Sequence, residues 1–457
     1  MNRTKEEFLP IKKGKVSLYT CGPTVYDYAH IGNLRAFLFE DILRRYLEFE
    51  NLDVLHVMNI TDIDDKTIRR SREEKRPLID FTDEYTQAFF DDLKTLNMLP
   101  AHHYPRATEF ISQMIDIIRK LEEKGYTYTA EDGSVFFKIS QFQKYGKLAR
   151  LDPDQLKSGE RVAEDEYEKE EGRDFALWKG YKSEDGDVFW DSPWGKGRPG
   201  WHIECSVMST FYLGDHFDIH CGGVDNIFPH HENEIAQSCA ASGKDFVNYW
   251  LHNEHLLVDN QKMSKSVGNF YTLRDLLDKQ CSPEAIRYTL MSTHYRAKLN
   301  FTFDKVRTSQ RCINKLRELK RRLELIGKNK NKGSKDDSTD KMLIRFSQKL
   351  GDDLNISGAL GELFTWVNEI FVSLDDDSID FDNAQKAIQA LDDIDQILGV
   401  LEIKHSEDEE NIQNLINQRN QARDEKKWDE ADLIRKQLDE MNIVLEDTPD
   451  GTIWKKK

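Results

Sequence analysis

Residues 15–49, KVSLYTCGPTVYDYAHIGNLRAFLFEDILRRYLEF, decide how the rest of the chain is read. Lys15 to Cys21 has the composition of a buried strand, and it stops at Cys21-Gly22-Pro23. From Asn33 to Phe49 apolar residues return at helical spacing, and DVLHVMNIT at 53–61 forms a second strand. Strand, helix and strand in this order predict a β-α-β unit on a parallel sheet, whose ligands lie at the carboxyl ends of the strands. The turn His30-Ile31-Gly32-Asn33 falls where that helix begins. A helix start offers free N–H groups to a phosphate, and Gly32 leaves room for close approach. The same histidine would serve equally well as a helix cap.

Further along, helical patterns run through Leu96 and from Thr108 to Lys124, and YTYTAEDGSVFFKI at 126–139 alternates like a hairpin around Asp132-Gly133. An inserted module begins about here. Residues 152–174 carry ten acidic and four basic side chains with almost no apolar period, which predicts a solvated loop. FDIHCGG at 217–223 returns to strand character, so the sheet resumes. From Leu273 the pattern is helical, interrupted by the polar run 327–340 and by SEDEE at 406–410. The tail predicts one amphipathic helix, about Ile412 to Met441, and a hairpin in IVLEDTPDGTIW at 443–454.

The 457 residues exceed one ordinary core, and the formal charge of −18 argues against a protein that simply coats nucleic acid. Residues 305–335 depart from that average, with twelve basic and two acidic side chains, and such a stripe suits a phosphate backbone or a solvated face. Six scattered cysteines do not form a secreted disulfide framework. No apolar run approaches the ~18 residues of a membrane helix. A soluble cytoplasmic monomer is the expectation.

Two further segments carry chemistry. Lys262-Met263-Ser264-Lys265-Ser266 leads into Val267-Gly268-Asn269, and FPHHENE at 228–234 sets His230 and Glu234 four apart, on one face of a helix. The order is wrong for the metalloprotease pattern H-E-x-x-H. With Cys21 and Cys205 these two would complete a Cys-Cys-His-Glu set of suitable chemistry for zinc.

The His30–Asn33 turn and the Lys262–Ser266 segment resemble, in the right order, the HIGH and KMSKS signatures of class I aminoacyl-tRNA synthetases. CGPTVYDYAHIGN, NITDIDDK, GWHIECS, FPHHENEIAQS, KMSKSVGNF, DDLNISGAL and the closing EDTPDGTIW narrow the resemblance to the cysteinyl-tRNA synthetase family over nearly the whole chain. It implies an α/β fold: a Rossmann-type parallel-sheet catalytic domain with an inserted connective module, followed by an all-helical bundle and a small C-terminal anticodon-binding domain. The expected divisions are 1–118 and 198–260 for the catalytic halves and 119–197 for the insertion. They continue with 261–320 for the KMSKS loop and stem contacts, 321–403 for the bundle and 404–457 for the anticodon domain.

The activity implied is activation of L-cysteine by ATP with Mg2+, then transfer to tRNA(Cys). Adenylate formation needs alignment and charge stabilisation rather than a protein nucleophile. By resemblance, His30, Asn33, Lys262 and Lys265 would be catalytic, Gly22, Gly32, His30, Asn33 and Lys265 would bind ATP, and Cys21, Gly22, Thr24, Thr61 and Trp201 would surround cysteine. Cys21, Cys205, His230 and Glu234 would hold one zinc per chain, with His202, His220, His231 and Glu232 around them. Shape alone separates cysteine from serine by only ~10²-fold, and a metal that prefers thiolate to hydroxyl supplies the rest.

Asn33 and Cys221 depart from the family pattern. Asn33 replaces a histidine with another small polar donor. Cys221 replaces a glycine and is open to being a stray ligand. Arg287, Tyr295, Arg296 and the basic stripe would meet the inner stem of tRNA, and Trp454 with Lys455 to Lys457 the anticodon side, unless Trp454 packs on its own domain. The rival readings are a cysteine-activating ligase with a small amine acceptor such as an amino sugar, a non-catalytic RNA-binding paralogue, and a zinc hydrolase.

Overall fold

The computed structural model describes residues 5–151, 174–327, 337–401, 407–441, 443–448 and 451–456. The loop expected over 152–174 thus lies, apart from Asp174, outside the described residues, as do 328–336 of the polar break.

Strand β1 (Lys15–Thr20) is paired on both sides, with β2 (Asp53–Met58) and β3 (Phe217–Gly223), and β4 (Val247–Asn253) extends the sheet in the order β2-β1-β3-β4. Every pairing is parallel, and parallel neighbours need crossovers rather than tight turns. Helix α1 (Ile31–Phe49) joins β1 to β2, α2 (Trp201–Leu213) feeds β3, and α3 (Glu232–Ser242) joins β3 to β4. The strand order reverses between β1 and β3. Their carboxyl ends part into a crevice there, and Cys21 is the first residue past β1.

Between β2 and α2 the chain forms helices Leu78–Thr95 and Ile111–Glu123 and a five-stranded antiparallel sheet. The first two strands of that sheet, Thr127–Thr129 and Val135–Phe137, are the hairpin expected around Asp132-Gly133. Past Leu273 come α4 (Pro283–Met291), α5 (Phe303–Glu324), α6 (Ser338–Gly351), α7 (Ile356–Asp375) and α8 (Phe381–Leu398). These helices share a core with the sheet domain: Leu34 and Leu38 of α1 lie in one buried cluster with Ile313, Trp366 and Ile394.

A buried ion cluster pins the same seam. Arg287 of α4, fully buried, donates to Asp41 at 2.6 Å, to the Leu398 carbonyl at 2.5 Å and to the Leu96 carbonyl at 2.9 Å. Arg45 donates to Asp41 at 2.9 Å and to the Gln396 carbonyl at 2.7 Å. This corrects the expectation that Arg287 and Tyr295 touch RNA. Both are buried, and the Tyr295 hydroxyl donates to Asp353 at 2.6 Å. Only Arg296 keeps an exposed side chain, and it too pairs with Asp353. The basic stripe on α5 is partly spent within the fold, since Arg317, Lys320 and Arg322 pair with Glu284, Asp392 and Asp375 on neighbouring helices.

The tail forms two helices rather than one, α9 (Glu407–Asp424) and α10 (Trp428–Glu440). Lys426 between them has φ of 59°, the left-handed region that ends a helix. The reversal lets Ile412, Leu415 and Ile416 bury against Ile434 and Leu438. The hairpin Ile443–Thr448 with Gly451–Lys456 closes this small core, with Trp454 partly buried against it. Trp454 thus packs on its own domain while keeping part of its surface exposed. Among the described residues no helix is long and apolar enough to cross a membrane.

Candidate active site and metal centre

The site grows from the turn between β1 and α1. His30 caps α1: its Nδ1 accepts from the backbone N–H groups of Gly32 and Asn33 at 3.1 and 3.2 Å, while the Asn33 side chain accepts from the His30 N–H at 3.2 Å. An Nδ1 that accepts twice puts the ring proton on Nε2, so His30 is a neutral hydrogen-bond donor; burial, the largest influence, lowers its pKa. The helix start closes against the Lys262–Ser266 loop. The Ile31 N–H donates to the Tyr271 carbonyl at 2.9 Å, and the His30 ring meets Phe270 edge-on at 5.1 Å. A Cβ on Gly32 would come within 2.8 Å of the Met263 methyl and 2.9 Å of the His30 ring, so any larger residue would displace one or both.

Lys265 reaches back over this junction to Asp27, Nζ to Oδ2 2.6 Å, and lies 5.1 Å from the centre of the Phe270 ring. Asn269 ties its own loop, accepting from the Ser264 N–H at 2.8 Å and donating to the Lys262 carbonyl at 3.1 Å. Lys262 is exposed at the edge of this loop. His30, Gly32, Asn33 and the lysine loop thus come together, although 229 positions separate Asn33 from Lys262 in the chain.

On the other side of Cys21 lies a buried cluster of sulfur, nitrogen and oxygen. One ligand atom each from Cys21, Cys205, His230 and Glu234 lie within 4.8 Å of one another. A second combination, Cys21, His220, His231 and Glu234, is equally compact. Hydrogen bonding separates the two. His231 has both ring nitrogens engaged, Nε2 with Cys21 Sγ at 3.3 Å and Nδ1 with His252 at 2.8 Å. His220 likewise meets Glu234 Oε2 at 2.9 Å and the Cys221 carbonyl at 3.2 Å. His230 is different: Nδ1 is held by His202 at 2.9 Å, while Nε2 faces Glu234 Oε1 at 3.1 Å and that oxygen makes no hydrogen bond.

His230 Nε2 and Glu234 Oε1 thus converge with the two cysteine sulfurs in a dry pocket, a donor set that suits a cation. Without a cation the Cys21 thiol keeps its proton, because its hydrogen bond to Cys205, its burial and the nearby anionic groups all push its pKa up. The donors that remain, two thiolates, an imidazole and a carboxylate, fit zinc. Histidines 202, 220 and 231 orient them.

Trp201 stacks on His230 at 4.3 Å and stays 37% exposed, which makes it one wall of the opening. Trp201 and Cys205 share a face of α2, being four apart. Thr24 and Thr61 pair as a parallel bridge beside Cys21. Gly22 passes so close to β2's end that a Cβ there would sit 1.7 Å from the Asn59 carbonyl oxygen. Cys221 does not enter the pocket; it is fully buried among Val16, Leu18 and Phe39, which excludes it as a ligand. Glu232 also turns away, accepting from the Gly146 and Ala149 N–H groups at 2.7 and 2.9 Å.

Comparison with known proteins gives this geometry its family. Residues 7–311 match the family described as tRNA synthetases class I (C) catalytic domain, and residues 407–454 match the cysteinyl-tRNA ligase anticodon binding domain. The chain belongs to the cysteinyl-tRNA ligase family. It is 51% identical to a protein named "Cysteine--tRNA ligase" from Brachyspira hyodysenteriae, over 100% of this chain and 98% of that one. It is 48% identical to the protein of the same name from Protochlamydia amoebophila, over 100% and 96%. Among solved structures it resembles Mycobacterium tuberculosis methionyl-tRNA synthetase, with TM-score 0.62 and 14% identity over 85% of this chain and 90% of the other, a likeness of fold alone. The anticodon-domain match and the named relatives leave the small-amine acceptor without support.

Several residues of the site escaped the sequence reading. Asp27 faces Lys265, His252 braces His231, and the fully buried Tyr19 hydroxyl lies beside the Cys205 and Cys21 thiols. Asp27 lies inside the quoted PTVYDYAHIGN segment and was available as a charge near His30. Tyr19 and His252 sit on strands where nothing in the pattern marks them.

Proposed function

We propose that the chain is a cysteine–tRNA ligase that works as a cytoplasmic monomer. A carboxylate oxygen of L-cysteine attacks the α-phosphorus of ATP, the bond from that phosphorus to the oxygen bridging to the β-phosphate breaks, and pyrophosphate leaves; Mg2+ bound to the phosphates would offset part of its charge. The terminal ribose hydroxyl of tRNA(Cys) then attacks the adenylate carbonyl and AMP departs. His30 presents its Nε2 proton to the phosphates, the Asn33 side chain orients them, and Lys262 and Lys265 offset the charge that builds on the leaving group.

Cys21, Cys205, His230 and Glu234 would hold zinc, whose preference for thiolate over hydroxyl supplies the selection of cysteine against serine. Trp201, Thr24, Thr61 and Gly22 enclose the amino acid. What supports this reading above all is the contact between Lys265 and Asp27 at 2.6 Å, which closes the lysine loop onto the segment joining Cys21 to His30.

The test is charging of a tRNA(Cys) transcript with labelled cysteine and ATP, with serine and a noncognate transcript alongside. Charging confined to cysteine and tRNA(Cys) supports the assignment. Pyrophosphate exchange without transfer to RNA would overturn the acceptor, and absence of both would overturn the reaction.

A further inference from the structure

Helix α1 grips the lysine loop at both of its ends. Beyond the loop, the Ile31 N–H donates to the Tyr271 carbonyl at 2.9 Å. Before it, one terminal nitrogen of Arg35 donates to the carbonyls of Glu254 and His255 at 2.5 and 2.7 Å, and the other donates to the Ala297 carbonyl at 2.5 Å. Ile31 and Arg35 are four apart on one face of α1. The segment 254–271, which contains Lys262 and Lys265, therefore starts and ends on the first turns of the helix that His30 caps.

The carbonyls that Arg35 takes lie at the base of a three-stranded sheet. Strand Leu256–Val258 follows His255 directly and turns back antiparallel into Gln261–Lys262, with Leu257 opposite Lys262. The same strand runs parallel to Leu299–Phe301, which begins just past Ala297. One guanidinium thus holds the ends of both strands from which the lysine hairpin projects.

The direction of these bonds is fixed by chemistry, since a guanidinium only donates and a carbonyl only accepts. Burial lowers the Arg35 pKa to about 10, which still leaves the group charged at neutral pH. Arg35 is 2% exposed, and Glu254 acts on it through charge rather than through a hydrogen bond of its carboxylate. Taking an ion into the interior costs more than filling the same space with an apolar chain, so packing alone does not account for it. A planar fork that spans two strand ends at once does.

We propose that Arg35 is a positioning residue for the reaction: by tying the strand ends at 254–255 and 297 to α1, it sets where Lys262 and Lys265 stand relative to His30 and Asn33. The inference rests on the reading of those four residues as the ATP site. Arg35 touches no substrate, and its hydrogen bonds involve none of Cys21, Cys205, His230 and Glu234. Loss of its donors lets the lysine hairpin shift on α1 while the cysteine pocket keeps its form, which slows adenylate formation and leaves cysteine affinity alone.

The experiment is cysteine-dependent ATP–pyrophosphate exchange by the full chain, with zinc content measured on the same samples. Wild-type exchange and its loss in Lys265→Met are the control on the underlying reading, because without them the lysine loop has no part in the reaction whatever Arg35 does. Arg35→Met, which keeps most of the volume and loses the donors, is expected to lower kcat about tenfold or more with the KM for cysteine and the zinc content unchanged. Arg35→Lys keeps the charge, but an ammonium cannot span both strand ends, so a smaller fall in kcat is expected. Beside Lys265→Met, Arg35→Met is expected to cost less than it does alone, since the lysine it places is gone. Trypsin should also nick Arg35→Met after Lys262 and Lys265 faster than wild type, and unchanged nicking would count against a shifted loop. If Arg35→Met raises the KM for cysteine or lowers zinc content, or if its loss multiplies in full with that of Lys265→Met, Arg35 is a general support of the fold and the proposal is wrong. If Arg35→Met does not fold, Arg35→Lys decides: a lowered kcat at unchanged cysteine KM supports the proposal, and a wild-type kcat refutes it.

Discussion

Replacing Arg287 with Met tests the seam between the sheet domain and the helices behind it. Arg287 and Asp41 are 0 and 2% exposed in their side chains, and removal of one partner from a buried pair destabilises by about 3–5 kcal/mol. Two features of the cluster bear on that range. Arg45 remains beside Asp41 at 2.9 Å, so the carboxylate keeps one cation, which favours the lower end. Against this, Met leaves the carbonyls of Leu398 and Leu96 without the guanidinium that satisfies them, and each orphaned acceptor costs about 1–3 kcal/mol. A loss of about 3–5 kcal/mol is therefore expected to stand.

Urea unfolding of Arg287→Met, Asp41→Asn and the double variant measures it, with tryptophan fluorescence as the probe. The double variant should lose much less than the sum of the two singles, because the same contact is removed twice. Arg287→Lys should fall between wild type and Met, a point charge being unable to serve carboxylate and carbonyls together. A Met variant within about 1 kcal/mol of wild type, or strict additivity, would refute the idea that this cluster holds the seam.

Other expectations follow from the site and its surroundings. Lys265→Met should lower the kcat of pyrophosphate exchange by about 10²-fold or more while circular dichroism is unchanged, and a change of less than about threefold would remove Lys265 from the charge-stabilising role. Glu234→Gln should keep the fold but weaken cysteine binding and zinc retention, and unchanged affinity and metal content would count against Glu234 as a ligand. His56 is buried with its pKa driven down to about 3, by burial first and then by nearby cations, so between 6.5 and 3 the unfolded chain holds a proton that the folded chain lacks. Stability should accordingly rise with pH across that window, and His56→Asn should flatten the slope by about one proton in denaturant titrations from pH 4 to 6. Asp41 behaves differently: burial pushes it up, but Arg287 and Arg45 outweigh this and hold it below its usual 3.8, so its contribution is present above that value and fades as pH falls through the folded pKa. Arg287→Met should therefore bring acid unfolding on at a higher pH than in wild type.

The segments proposed for catalysis were legible because each has a local physical signature. A strand that breaks at Gly22-Pro23, a histidine at the head of a helix and a lysine loop after the sheet mark phosphate chemistry wherever they are placed. The His230–Glu234 spacing names a helix face without any knowledge of the fold. The C-terminal helix was misread because Lys426 belongs to an unbroken polar run, so no glycine or proline announced its left-handed turn. Arg287 was misread because an arginine looks alike in sequence whether it meets phosphate or a buried Asp41. Cys221 was left open for the same reason, since its place in a strand between Val16, Leu18 and Phe39 is a fact of sheet register.

The sequence by itself determined which chemical groups exist and which short segments carry them: two thiols, an imidazole, a carboxylate, a capped helix start and two lysines. Only the tertiary structure decided which partners each histidine near the cysteines has. His220, His230 and His231 have the same side chain, and they differ in what occupies their second nitrogen. That depends on His202, His252 and Glu234 arriving from separate elements of the fold. Identical side chains acquire different partners only when the chain packs, which is why no reading of sequence spacing could assign those partners.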